Sequence, residues 1–186
     1  MIHSRSDLAH ARRVVVKIGS SLLADAEQGI RQDVIDHLVD ELQSIMATGV
    51  DVVLVTSGSV ALGRVDLGWL GRTLSVHEKQ AAAAIGQPKL MSAYSDAFAR
   101  HGRTVAQMLL TKDDLRNRRR YLNASNTSET LFSAGVVPIV NENDTVVVAE
   151  IKFGDNDSLG ALVSLVVEAD LLVMLTDVDG LYDKNP

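Results

Sequence analysis

The sequence predicts an α/β domain with a mostly parallel central sheet and helices on both faces, an α/β/α sandwich. Three observations carry that prediction. The strand candidates are continuous apolar runs, as a sheet covered on both faces requires. They alternate with segments of helical periodicity. Four of them end in polar clusters, where an open sheet of this kind binds its ligands.

The elements follow in order. Val14-Val15-Val16 is a β-branched run that ends at Lys17 and enters the turn residues Gly19-Ser20-Ser21. Ile30, Val34, Leu38, Leu42, Ile45 and Met46 recur at helical spacing, with Gly49 as the stop. Val52 to Val55 makes a second buried strand, and Thr56-Ser57-Gly58-Ser59 offers small hydroxyls to cap the next helix. Val76 to Arg100 is Ala-rich and helical, with Gly86 and Pro88 marking an interruption or a fresh start. Thr104 to Leu110 reads as a third strand and Asp113 to Ala134 as mostly helix. Val136 to Val140 is a fourth strand that ends in Asn141-Glu142-Asn143-Asp144. Thr145 to Lys152 alternates loosely, as a hairpin does. Asp155-Asn156-Asp157-Ser158 caps a helix through about Glu168, and Leu171 to Leu175 is a last strand ending at Thr176-Asp177. No internal repeat or linker interrupts the 186 residues, so they read as one domain. Residues 1–11 are polar and are expected to be a flexible N-terminal segment.

Composition narrows the function classes. A hydrophobic fraction of 46% argues against disorder. A formal net charge of -6 runs against a nucleic-acid-binding surface. The chain has no cysteine, which excludes disulfides, thiolate metal sites and cysteine nucleophiles. No apolar run approaches membrane-spanning length and no signal-peptide core precedes the first strand, so the expected compartment is the cytoplasm, with no membrane partner. His77-Glu78 begins like a zinc helix, but Ala81 stands where the second histidine belongs. There is no Walker A pattern and no Gly-x-Gly-x-x-Gly.

The strand-end clusters carry the chemistry. Gly and Ser loops entering helices present backbone N–H groups that suit phosphate or carboxylate. Lys17 adds a mobile positive charge beside the first such loop. The acids and amides of Asn141–Asp144 and Asp155–Asp157 suit an ammonium group or a magnesium ion. Basic and acidic clusters at one sheet edge match what phosphoryl transfer to a zwitterion needs. Each cluster also has a structural reading. Lys17 reads equally as a strand-terminal lysine reaching solvent, Ser57-Gly58 as a plain N-cap, Asn141–Asp144 as a polar turn and Asp155–Asp157 as a capping cluster. The arginine run at Arg116, Arg118, Arg119 and Arg120 reads as a solvated helix face.

In order along the chain, these segments resemble one family. Val14–Ser21 and Val55–Ala61 resemble the opening of the amino acid kinase superfamily. Gly86-Gln87, Gln107–Thr111, Tyr121–Ala124, Pro138–Asp144, Glu150–Asp157 and Leu175–Asp177 narrow the likeness to the glutamate 5-kinases, free-standing or fused. The Asn-Glu-Asn-Asp and Gly-Asp-Asn-Asp pair is the most specific part, and the likeness runs from about Arg12 to Pro186. Ser125 departs from it, standing where many relatives carry arginine.

The resemblance implies ATP-dependent phosphorylation of the γ-carboxylate of L-glutamate to γ-glutamyl phosphate, the first step of proline biosynthesis. It implies catalytic roles for Lys17 and Asp157, and substrate binding by Ser57, Gly58, Asp144 and Asn156. It implies ATP binding by Lys17, Gly19, Ser20, Thr176 and Asp177, with Mg2+ held mainly through the nucleotide and no metal site of the protein's own. Proline as feedback inhibitor and a dimeric or tetrameric homo-oligomer are implied too. The family's kinase domain continues past Pro186, where it carries most of the adenine pocket and a second lysine. By that likeness residues 1–186 are a C-terminally incomplete kinase domain, expected to be inactive alone. The alternatives are another member of the superfamily, such as an acetylglutamate, uridylate or carbamate kinase, or a non-catalytic glutamate- or proline-binding module.

Overall fold

A computed structural model describes residues 5–25, 29–147 and 156–176. Arg5–His10 form a short 3-10 helix. Then follow β1 (Arg13–Ile18), α1 (Ser20–Leu23), β2 (Ala24–Asp25), β3 (Gly29–Ile30), α2 (Gln32–Met46), β4 (Asp51–Val55), α3 (Ser59–Asp66) and α4 (Val76–Ala99). The chain continues through β5 (Val105–Leu110), α5 (Lys112–Arg116), α6 (Arg118–Ser133), β6 (Val137–Glu142), α7 (Asn156–Val166) and β7 (Leu171–Leu175).

Five strands form one sheet in the order β5-β6-β4-β1-β7. All four pairings are parallel, with Val16 opposite Leu54 and Val173, and Val55 opposite Val140. Side chains alternate across the sheet because successive Cβ atoms point to opposite faces. Val14, Val16, Ile18, Val52 and Leu54 pack against Leu38 and Leu42 of α2 and Leu90, Tyr94 and Phe98 of α4. Val15, Val53, Val55 and Val140 pack on the other face against Ala124 of α6 and Leu159, Val163 and Val166 of α7. The predicted two-sided, mostly parallel sandwich is therefore the observed architecture. The β2–β3 hairpin is a small addition that the sequence did not signal.

Two expectations are corrected. The Ala-rich helix is continuous through Gly86 and Pro88. Pro88 leaves the carbonyl of Ala84 without its N–H partner. Ala84 and Pro88 both lie on the exposed side, where that carbonyl is open to solvent, while Leu90, Tyr94 and Phe98 anchor the next turns in the core. The polar helical stretch is two helices, because Asn117 leaves the helical conformation and caps α6 by accepting from the amides of Arg119 and Arg120. Of the proposed hairpin, residues 145 and 146 belong to a turn that begins at Asp144, and 148–152 lie outside the described residues.

Gly86 has a role in the packing of α3 against α4. A Cβ on Gly63 would sit 1.8 Å from the carbonyl oxygen of Ala82, and one on Gly86 would sit 1.9 Å from that of Ser59. These helices touch backbone to backbone, so any side chain must drive them apart. Gly102, by contrast, needs only its positive φ of 67°, with open space around it. Gly63→Ala is expected to destabilise the protein by at least about 2 kcal/mol in urea titrations. Gly102→Ala should lose only about 1 kcal/mol. Equal losses would show that helix contact is not the constraint.

Candidate active site

The connections define where a site can form. From β4 the chain turns to the α2/α4 face, through α3 and α4, and from β6 it turns to the opposite face, through α7. Because β4 and β6 are neighbours, their following segments diverge and a crevice opens at their carboxyl ends. A cavity of about 390 Å³ lies there, lined by Ser20, Ser57, Gly58, Ser59, Asp144 and Asn156. Arg64 and Lys79 complete its polar wall.

Each side chain has a local reason to be there. Gly58 is the N-cap of α3 with φ 109°, a conformation that favours glycine and turns the chain sharply after β4. That turn aims the first N–H groups of α3 at the cavity, a ready place for an anion. Ser59 is buried, and its hydroxyl donates to Asp144 Oδ2 at 2.7 Å. Burial pushes the Asp144 carboxyl above the ordinary aspartate range, and the Ser59 hydrogen bond opposes this only in part. A carboxylate so desolvated gains by meeting a cation.

Asn156 opens α7 and is 4% exposed. Its Nδ2 donates to the Thr56 carbonyl at 3.0 Å and, at 3.4 Å, to Asn141 Oδ1. Its Oδ1 is buried with no hydrogen-bond partner among the described residues. Asn141 completes the brace: its Nδ2 donates to Gln87 Oε1 at 2.7 Å, and its Oδ1 accepts from the Glu142 amide at 2.8 Å.

Lys17 leaves the end of β1 toward α7. Its stem passes Gly160, where a Cβ would meet Lys17 Cβ at 3.5 Å and Cγ at 3.6 Å. Its Nζ lies 2.5 Å from Asp157 Oδ1. Lys17 is almost fully buried while the Asp157 carboxylate is 65% exposed, so the ion pair faces open space on one side. Gly19 is the N-cap of α1, and Ser20 begins that helix at the cavity edge. Thr176 follows β7, whose Leu175 pairs with Ile18, so it stands beside Gly19. Asp177 lies outside the described residues.

Five of the predicted residues thus share one cavity, and the Lys17–Asp157 pair joins the end of β1 to the start of α7, whose first residue, Asn156, is in the cavity wall. Sequence reasoning missed the Ser59 hydroxyl, Arg64 and Lys79. No local signal marks them, because their convergence depends on how α3 and α4 pack. A larger hollow of about 1070 Å³ lies between α2 and β7 and is lined mainly by aliphatic side chains such as Val16, Leu38, Leu42 and Val173. It offers no comparable constellation of polar groups.

A parallel sheet with an anion-ready helix start, a buried acid and a lysine–aspartate pair at its carboxyl edge is the architecture of an α/β protein that binds a small charged ligand. Residues 12–186 match the amino acid kinase family, and the chain belongs to that family. The glutamate 5-kinase of Chromohalobacter salexigens is 56% identical over 183 residues, which is 98% of this chain and 48% of that one. That of Geobacter metallireducens is 55% identical over 179 residues, covering 96% and 48%. That of Pseudomonas syringae pv. tomato is 54% identical over 182 residues, covering 98% and 49%. The chain spans about half the length of the curated relatives it matches.

The raised pKa of Asp144 makes a signed prediction. The folded state prefers its protonated form, so this group favours folding at pH below the ordinary aspartate value. That contribution is lost as pH rises through the raised value. Above that interval, ligand-free Asp144→Asn should melt at a higher temperature than the unaltered protein, and the gap should close on acidification. Melting curves that coincide at every pH would contradict this.

Proposed function

We propose that the whole protein transfers the γ-phosphoryl group of ATP to the γ-carboxylate of L-glutamate, making γ-glutamyl phosphate, the first step of proline biosynthesis. The observation that carries this reading is the pairing within one cavity of ammonium acceptors and carboxylate donors. Asp144 and Asn156 Oδ1, which has no hydrogen-bond partner among the described residues, suit the substrate ammonium. Ser57 and the amides of Gly58 and Ser59 suit a carboxylate. The names of the relatives support the same substrate.

The chemistry needs little from the protein beyond position and charge. A carboxylate is already ionised at neutral pH and attacks phosphorus without a general base. Lys17 neutralises charge on the transferring phosphoryl group, and Asp157 keeps the Lys17 ammonium in place. Gly19, Ser20 and Thr176 border the nucleotide, and for Asp177, outside the described residues, the same role rests on kinship alone. Among the described residues no three acidic or imidazole side chains cluster to hold an ion. By kinship, magnesium is proposed to be carried by the nucleotide phosphates. No helix among the described residues is long and apolar enough to cross a membrane.

Proline as a feedback inhibitor, a dimeric or tetrameric assembly and a cytoplasmic location belong to the same proposal, and rest on kinship. The reading of residues 1–186 as part of one kinase domain rests on kinship as well.

The full-length protein should form hydroxamate from glutamate, ATP and hydroxylamine. Lys17→Ala should lower its kcat by about 1000-fold or more, and Asp157→Asn by about 10- to 100-fold. Release of ADP with another acceptor but not with glutamate would overturn the reading.

A further inference from the structure

We propose that Lys79 and Arg64 form the subsite for the α-carboxylate of the amino-acid substrate, and so decide that the substrate is a dicarboxylate. This rests on the reading of the cavity as the glutamate site. It assigns a role to two residues that the phosphoryl transfer itself does not use.

Charge is the first argument. Among the described residues the cavity lining holds two cations, Arg64 and Lys79, and one acid, Asp144. Glutamate at neutral pH is the mirror of this, with two carboxylates and one ammonium. Its γ-carboxylate must face the phosphoryl donor, on the Lys17 and Ser20 side. With the ammonium on Asp144 and Asn156, the α-carboxylate is left for the cations of α3 and α4.

Second, both cations stand on helices that are fixed in place. The backbone contacts at Gly63 and Gly86 lock α3 to α4, and Arg64 directly follows Gly63. One Arg64 Nη donates to the Arg72 carbonyl at 2.8 Å. Its Nε is buried and has no hydrogen-bond partner among the described residues, a donor still to be used. The start of α4 is fixed by the Ser75–Glu78 capping box. It is tied to the loop that bears Asp144, since Gln80 Nε2 donates to the Val147 carbonyl at 3.0 Å.

The third argument is the position of Lys79 in its helix. It is the fourth residue of α4. A cation near a helix N-terminus opposes the macrodipole and weakens the helix. A substrate anion in the cavity that Lys79 lines adds a favourable charge contact at that position.

The test uses the full-length enzyme, with L-glutamate and with its α-amide, which keeps the ammonium and γ-carboxylate but loses the α charge. Against the wild type, the α-amide should inhibit with a constant about 10- to 100-fold above the glutamate KM. In Lys79→Met the glutamate KM should rise by about that factor, with kcat, the KM for ATP and the α-amide constant each moving less than about threefold. Lys79→Arg should recover most of the loss, and Lys79→Gln should recover none. Arg64→Met should shift the glutamate KM in the same direction. A glutamate KM within about threefold of wild type in Lys79→Met overturns the proposal. Equal weakening toward glutamate and the α-amide also overturns it, because that marks general distortion. If the Met variant does not fold, Lys79→Gln is read by the same criteria. A wild type without glutamate turnover strikes the reaction itself, whereas a normal wild type with an indifferent Lys79 variant strikes only the subsite.

Discussion

The carboxyl edge of the sheet depends on one buried amide, the side chain of Asn141. It holds Gln87 of α4 on one side and Asn156 of α7 on the other, while its own backbone continues β6. Asn156 in turn holds the Thr56 carbonyl at the end of β4. Helices from opposite faces of the sheet are thereby tied together where the chain direction diverges. A crevice between two diverging connections would otherwise be the loosest part of the fold. Buried amides so connected are worth about 1 kcal/mol per bond when satisfied, and leave costly orphans when one is removed.

The two ends of the sheet use polar groups differently. At the amino end, the Arg13 guanidinium meets Glu129, Asp51 and the Val167 carbonyl and lies 4.3 Å from the Phe132 ring centroid. Asp170 there accepts from the amides of Arg12 and Arg13. Those partners are largely supplied by the fold itself. At the carboxyl end, Asp144 is desolvated and accepts from the Ser59 hydroxyl, and Asn156 Oδ1 and Arg64 Nε have no hydrogen-bond partner among the described residues. A polar group left wanting in the native state lowers stability unless something binds to it. The buried Arg13 Nε also has no hydrogen-bond partner among the described residues, so what sets the carboxyl end apart is that Asp144, Asn156 and Arg64 gather around one cavity.

Much of this was legible in the residues. Val14-Val15-Val16 and Val52–Val55 had to be covered on both sides, because continuous β-branched runs leave no face for water. Lys17, Ser57, Gly58, Asp144 and Asn156 announced themselves as polar groups at the ends of such runs. The expected break at Pro88 came from a local rule that ignores which side of the helix carries the proline. Here the Ala84 carbonyl is on the exposed side and Leu90, Tyr94 and Phe98 are buried, so packing carries the helix through.

The sequence by itself determined the alternation of strands and helices, the two-sided sheet and the set of strand-end residues from which a site could be drawn. It did so because hydrophobic periodicity and turn chemistry are local and are written residue by residue. Only the tertiary structure decided that β4 and β6 are neighbours, that their connections part to opposite faces, and that Ser59, Arg64 and Lys79 join Asp144 around one cavity. Those relations join residues up to 85 positions apart, as between Ser59 and Asp144. They depend on how closely two helices approach, which two glycines permit but no local pattern reveals.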